Sequence, residues 1–334
     1  MDDGKQVYTI DDIAKELGIS KTTVSRALSG KGRLSEETRA RVLAFAEQHD
    51  YRPNAVAQSL AQSCTYNIGL LLPGDSSVTE AGFFHECMVG ICETAAQHGY
   101  DVLVTMERED SAEGLQRVLD HRKVDGVIAA RSVVDSPVIS LLKSKKLPFI
   151  LIGSTSDQEV YFVDNNNQEA CRDLAALLIS RGARRMALLG GEESYYVTRS
   201  RLQGFRDACQ QFRLPWKEQL VFPNLGNTAQ VAAAIKESVR LQADCILCMD
   251  DFLCNLALIQ LREQKVRVPE DIKIACFYDD RILEHTLPPV TSLRFDAAEL
   301  GRTACRELLH LLAGEAAQSR ILPGYQIILR ASTN

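Results

Sequence analysis

The chain has 334 residues, enough for roughly two or three domains, and 46% of them are hydrophobic, an ordinary share for a globular protein. No apolar run is long enough to cross a bilayer, and no charged-then-apolar leader opens the chain, so a membrane-spanning or exported protein is not expected and a cytoplasmic one is. The formal net charge of −6 excludes a uniformly basic nucleic-acid coat, so any DNA contact must be local.

Taken in order, the first element is a short helix. Thr9 is a good N-cap, Asp11 and Asp12 sit where the helix dipole favours negative charge, and Ile10, Ile13, Ala14 and Leu17 recur at helical spacing. Gly18 suits the left-handed residue that ends a helix, and Ser20 can cap the next one almost at once. Two short helices joined so tightly must cross steeply, which is helix-turn-helix geometry. In the second helix Val24, Ala27 and Leu28 form the inner face, leaving Lys21, Thr22, Ser25 and Arg26 outward near its N-terminal half. Arg and Lys suit guanine, Thr and Ser suit base edges or phosphates, and a Thr methyl suits thymine. A third helix opens at Ser35-Glu36-Glu37-Thr38 and runs through Val42, Leu43, Phe45 and Ala46 to about His49-Asp50. Between Lys21 and Arg41, six basic residues meet only Glu36 and Glu37, a local excess of +4. The competing reading, a merely solvated helix face, explains neither the turn nor the caps.

From Tyr66 the pattern changes to strand–helix alternation. Apolar strands are expected at residues 68–72, 102–104, 126–129, 149–152, 186–189, 245–248 and 272–277. Helices are expected at about 83–98, 112–121, 168–181, 198–212, 228–241 and 252–265. Such alternation means parallel sheets covered by helices on both faces, and there are too many repeats for one small sheet. The fold class is therefore α/β, with an all-α helix-turn-helix ahead of two doubly wound parallel-sheet subdomains. The ten cysteines are scattered. Cys245-Ile246-Leu247-Cys248 is formally a CxxC, but it lies in a strand-like apolar run without a second pair, so reduced buried thiols are expected.

The stretch Tyr51-Arg52-Pro53-Asn54-Ala55-Val56-Ala57-Gln58-Ser59-Leu60 carries a resemblance. With the Thr23-Val24-Ser25-Arg26 core and the Ser35-x-x-Thr38-Arg39 entry of the third helix, it resembles the LacI/GalR family of bacterial transcription regulators. Residues 1–52 are then the DNA-binding domain, 53–64 a hinge helix or linker, and 65–334 an effector-binding and dimerisation domain. The last part resembles the type I periplasmic-binding-protein fold. It divides into an N-subdomain at about 66–165 and 296–322 and a C-subdomain at about 166–293 and 323–334, with ligand in the cleft between.

The resemblance implies DNA contacts from Thr9, Lys21, Thr22, Thr23, Ser25, Arg26 and Ser29, then from Tyr51, Asn54, Ala57 and Leu60. In the family the hinge helix forms when two subunits meet on the operator, and its Leu, here Leu60, wedges into the minor groove. Pro53 at the start of a short, weakly apolar helix fits a segment that folds on binding. A palindromic double-stranded operator and a homodimer follow from matched two-fold symmetry.

For the effector, the resemblance points to Arg201 in the Arg-x-x-Gly-Phe pattern, to Asp250 at a strand end, and to Asp279 in Tyr278-Asp279-Asp280. Phe295 takes a position that often closes the cleft. Pro73 and Ala130 follow the first and third strands, where many relatives place polar side chains, and Gly153 stands where an Asp often touches sugar. The N-terminal lobe thus reads as poor in hydrogen-bond donors, which leaves open a larger, partly apolar or phosphorylated ligand. Tyr195, Tyr196 and Trp216 are candidates for stacking. Asp250 reads nearly as well as a helix cap, Arg201 could be a surface ion pair, and Asp279 a turn residue.

The expected function is a sequence-specific transcription regulator, most simply a repressor, controlled by a small carbohydrate or sugar derivative. The alternative is a carbohydrate-binding or glycoside-processing protein without a gene-regulatory role. The aspartate pairs at 250–251 and 279–280 could serve glycoside hydrolysis or a divalent metal. No phosphate-binding loop, nucleophile elbow or His–Glu metal motif accompanies them, so no catalytic residue, metal site or cofactor is expected.

Overall fold

The computed structural model describes residues 8–30, 33–51, 64–74, 82–108 and 110–334. The chain divides into two compact units, residues 1–65 and 66–334. Each is built on its own core.

The first unit holds three helices, α1 (Ile10–Glu16), α2 (Lys21–Ser29) and α3 (Glu36–Gln48). Thr9 closes a capping box on α1: its hydroxyl accepts from the Asp12 N–H at 3.3 Å, and its own N–H donates to the Asp12 carboxylate at 2.8 Å. Ser20 accepts from the Thr23 N–H and Ser35 from the Thr38 N–H, so all three helices start on a side-chain cap. Ile13, Val24 and Val42 are fully buried where the helices meet, with Ala14 and Ala27 between them. Gly18 takes φ +65° after α1, and only a residue without a Cβ enters that region freely.

The second unit contains two six-stranded sheets. The first is built from β1 (Asn67–Pro73), β2 (Asp101–Glu107), β3 (Gly126–Ala129), β4 (Phe149–Ile152), β5 (Phe162–Asn165) and β11 (Arg320–Leu322), in the order β11-β5-β4-β3-β1-β2. The second is built from β6 (Met186–Leu189), β7 (Leu220–Phe222), β8 (Cys245–Cys248), β9 (Lys273–Cys276), β10 (Thr291–Phe295) and β12 (Tyr325–Ile328), in the order β12-β10-β9-β8-β6-β7. All pairings are parallel except β10 with β12. The chain passes between the sheets three times, after β5, after β10 and after β11.

The helices that follow the strands are α4 (Gly82–Gln97), α5 (Glu113–Asp120), α6 (Pro137–Lys145), α7 (Asn167–Ser180), α8 (Tyr196–Gln211), α9 (Thr228–Arg240), α10 (Asp251–Glu263), α11 (Arg281–Glu284) and α12 (Ala297–Leu312). α12 returns to pack along α4. There a Cβ on Gly90 would collide with the Ala298 carbonyl, and one on Gly301 with the Cys87 carbonyl, so the two glycines set how near these helices lie. The central strands β3, β6 and β8 are buried at every residue, as strands covered on both faces must be. Cys245 and Cys248 sit inside β8 with no exposure, and burial pushes both thiols up.

β5, β7, β10, β11, α6, α11 and α12 are not among the elements the pattern predicts. β7 has only three residues, all half-buried at a sheet edge, and β5 ends in Asp164-Asn165, polar residues that break the apolar run.

Candidate functional site

Helix α2 presents Lys21, Thr22, Ser25 and Arg26 as exposed side chains, because buried Val24 and Ala27 fix its rotation. Thr23 is half-buried and shares a hydrogen bond with the Ser20 hydroxyl at 2.8 Å. Lys21 makes an exposed ion pair with Asp11. Thr9 spends its hydroxyl on Asp12, and the Tyr51 ring packs against the three-helix core. The side chain of Ser29, and the whole of Asn54, Ala57 and Leu60, lie outside the described residues.

At the carboxyl ends of the two sheets lies a cavity of ≈ 410 Å³. Ligands in open parallel sheets bind at such ends, where strand order reverses. The first sheet's lobe supplies Phe83 and Phe84 from the start of α4, Ala130, Arg131 and Ser132 after β3, Gly153 after β4, and Asp164 and Asn165 from β5. The other lobe supplies Glu192, Tyr195 and Arg201, the run Asp250-Asp251-Phe252, Tyr278 after β9 and Phe295 at the end of β10.

Arg201 is a half-buried cation beside the carboxyls of Asp164 and Asp250. One guanidinium nitrogen donates to the Met249 carbonyl, while its buried Nε has no partner among the described residues. Burial raises the Asp164 carboxyl, opposed by hydrogen bonds from Ser154 and Asn165 and by the charge of Arg201. Burial likewise raises Asp250, opposed by the Leu253 N–H and by Arg201. Asp250 caps α10 through Oδ1 at 2.8 Å and also lines the cavity.

Burial, with the neighbouring Asp250 charge, pushes Asp251 up to about 6. A carboxyl raised above its usual 3.8 keeps a proton in the fold that the unfolded chain has already released. Its contribution thus favours the fold at the acidic end of that window and is lost as pH rises through about 6. Asp251→Asn is expected to raise the melting temperature at about pH 7.5 and to change it little at about pH 3.5, below the start of that window. An equal shift at both pH values would show that this carboxyl is not the group responsible.

Ala130 and Phe295 line the cavity, and Pro73 and Asp279 do not. Pro73 ends β1 opposite Glu107, buried in the sheet. Asp279 is turned the other way. It accepts from Arg330 at 2.6 Å, from the Ser292 hydroxyl at 2.5 Å and from Arg294 at 2.9 Å. Burial alone would raise this carboxyl, but those three donors hold it below the usual carboxylate range. Its neighbour Tyr278 faces the cleft instead, as alternation along an extended chain requires. Asp279 thus ties β10 and the C-terminal segment to the end of β9. Asp279→Ala strands the Arg330 guanidinium, only 10% exposed, and should cost about 3–5 kcal/mol of stability. Ligand affinity in the cleft should be untouched. A variant with a normal melting point and weakened ligand binding would return Asp279 to the site.

The first lobe is also richer in polar groups than expected. Arg131 and Ser132 directly follow Ala130, and the unrecognised strand β5 brings Asp164 and Asn165. Of the stacking candidates, Tyr195 lines the cavity, Tyr196 bonds to the Ser156 hydroxyl at 2.8 Å, and Trp216 packs edge-on against Phe205.

The lobes also bond to each other directly. The Val134 N–H donates to the Ser194 carbonyl at 2.9 Å, and the Tyr196 N–H to the Ser132 carbonyl at 3.3 Å. Arg131 donates to the Tyr195 hydroxyl at 3.0 Å and lies 4.6 Å over its ring. The two lobes are clasped beside the cavity.

A helix-turn-helix unit and a two-lobed ligand cleft in one chain define a DNA-binding transcription regulator. Residues 9–54 match the model of bacterial regulatory proteins of the lacI family, and residues 175–333 match a periplasmic binding protein-like domain. The chain thus joins a lacI-family DNA-binding domain to a periplasmic binding protein-like domain.

Among its relatives, the HTH-type transcriptional regulator MalR of Streptococcus pneumoniae is 27% identical over 312 residues, 91% of this chain and 92% of that one. Catabolite control protein A of Staphylococcus epidermidis is 27% identical over 333 residues, 97% of this chain and 99% of that one. The solved complex of transcriptional regulator CelR with cellobiose superposes with a TM-score of 0.74 at 25% identity, covering 97% of this chain and 99% of that chain. The lac repressor dimer bound to operator has the same fold, with a TM-score of 0.82 at 23% identity over 98% of this chain and 99% of that chain. No helix among the described residues is long and apolar enough to cross a membrane.

Proposed function

We propose that this regulator is a homodimeric repressor of a palindromic operator, and that a carbohydrate bound between its lobes sets its affinity for DNA. The observation that carries the reading is the cleft: a half-buried guanidinium, Arg201, whose buried Nε has no partner among the described residues, beside the carboxyls of Asp164 and Asp250. Planar guanidinium forks and buried carboxyls are the groups that hold adjacent hydroxyls. One solved neighbour titled a probable maltose operon transcriptional repressor and another solved with cellobiose support a sugar. A ligand that prefers one lobe arrangement shifts the population of DNA-binding dimers by its differential affinity.

In this reading residues 1–52 bind the major groove through Lys21, Thr22, Ser25 and Arg26. Residues 53–64 couple them to the cleft, with Leu60 as the wedge. The chemistry is binding throughout, with no turnover of the sugar. Fluorescence anisotropy on a labelled palindromic operator, titrated with mono- and disaccharides, tests it. At least one sugar should shift the operator midpoint by about tenfold or more, a coupling of 1–3 kcal/mol. A chain that binds operator but answers to no carbohydrate would refute the sugar reading.

A further inference from the structure

Gly82 opens α4, and nothing in its own backbone asks for glycine. Its φ lies outside the left-handed range, and alanine suits a helix better. What excludes a side chain is the other lobe. A Cβ on Gly82 would collide with Oδ2 of Asp280. Asp280 is not free to swing aside, because its Oδ1 accepts from the Ile282 N–H at 2.9 Å and caps α11. A carboxylate of the second lobe is thus seated against the first turn of a helix in the first lobe. Beside it Phe83 meets Tyr278 edge-on across the same seam, with ring centroids 5.8 Å apart.

The seat is matched in charge as well as in shape. The first N–H groups of a helix carry partial positive charge, and α4 is sixteen residues long. Among the described residues no Lys, Arg or His pairs with Asp280. Its charge also bears on Asp251, in a corner already crowded with carboxyls. The end of α4 supplies the compensating positive pole. This seam is separate from the clasp. The clasp joins the chain after β3 to the chain after β6, and this seam joins the chain after β1 to the chain after β9.

We propose that Gly82 and Asp280 form a latch that holds the two lobes together, the bare Cα of Gly82 admitting the Asp280 carboxylate to the N-terminus of α4.

Hydrogen exchange of the ligand-free full chain reads the latch from the other seam. The Val134 and Tyr196 amides are bonded across the clasp, so they exchange when the lobes part. In Gly82→Ala both should exchange about tenfold faster or more, while amides inside β8 keep their rates. Asp280→Ser keeps an oxygen to cap α11 and clears the space beside Gly82. Adding Gly82→Ala to Asp280→Ser should therefore change exchange by less than about twofold. Asp280→Asn keeps the shape without the charge and should speed both amides about two- to fivefold. Wild-type rates at Val134 and Tyr196 in Gly82→Ala overturn the latch, and so does a tenfold gain that persists beside Asp280→Ser. If β8 also loosens in Gly82→Ala, Asp280→Asn decides, and exchange no faster than wild type overturns the latch. The readout needs no ligand, so its failure leaves the carbohydrate reading standing.

Discussion

Arg26→Ala is expected to lose specific operator binding while keeping the fold and the ligand response. Ser20 starts α2 and buried Val24 and Ala27 set its rotation, so Arg26 reaches outward in phase with Lys21, Thr22 and Ser25. A guanidinium fork on guanine is worth about 1–3 kcal/mol of discrimination. A dimer on a palindrome uses it twice, so the loss should be about 2–6 kcal/mol, or roughly 30-fold to more than 10⁴-fold in affinity. The dependence of affinity on salt should change little, because the lost contact is to a base edge. Lys21→Ala should instead lower the salt slope by about one per subunit and weaken all sequences alike. Wild-type operator affinity in Arg26→Ala would dismiss α2 as the recognition helix.

Arg201→Ala is expected to leave a repressor that binds DNA and no longer answers its ligand. The guanidinium is anchored by the Met249 carbonyl and its Nε has no partner among the described residues, so it is positioned before ligand arrives. Truncating one partner of a buried charged contact costs about 2–5 kcal/mol, some 30-fold to several thousand-fold in affinity. The melting temperature should also fall, since Asp164 and Asp250 lose the cation that favours their charged forms. Arg201→Lys restores the charge without the planar fork and should recover only part of the affinity. Operator titrations with and without sugar read both effects. An unaltered response in Arg201→Ala would take Arg201 out of the site.

Local rules read well from this chain. The caps at Thr9, Ser20 and Ser35 and the apolar phase of Ile13, Val24 and Val42 follow from nearest neighbours, and the helices stand where those residues place them. The buried central strands were legible for the same reason: they are short apolar runs between helical stretches.

The cleft was harder. Which side chain of a strand-end pair faces the ligand depends on sheet register and on distant partners. Asp279 follows the right strand but is claimed by Arg330, fifty-one residues away in the chain. Tyr278 lines the cleft in its place. Asp164 stayed hidden because β5 carries too few apolar residues to announce itself. Arg131 lies one position beyond Ala130, and a strand-end pattern does not tell which of two adjacent residues turns its side chain into the cleft.

The clasp between the lobes has a consequence in time. Two main-chain hydrogen bonds, the Arg131–Tyr195 contact and the Tyr196–Ser156 bond must part before the lobes can swing apart on that side of the cleft. A ligand that leaves only through the opened cleft would depart at the rate at which the clasp breaks. Loosening the clasp would then shorten residence more than it would change capture. Such a switch would carry a memory: after its ligand is gone from solution, the regulator would hold its last state for as long as the clasp stays shut.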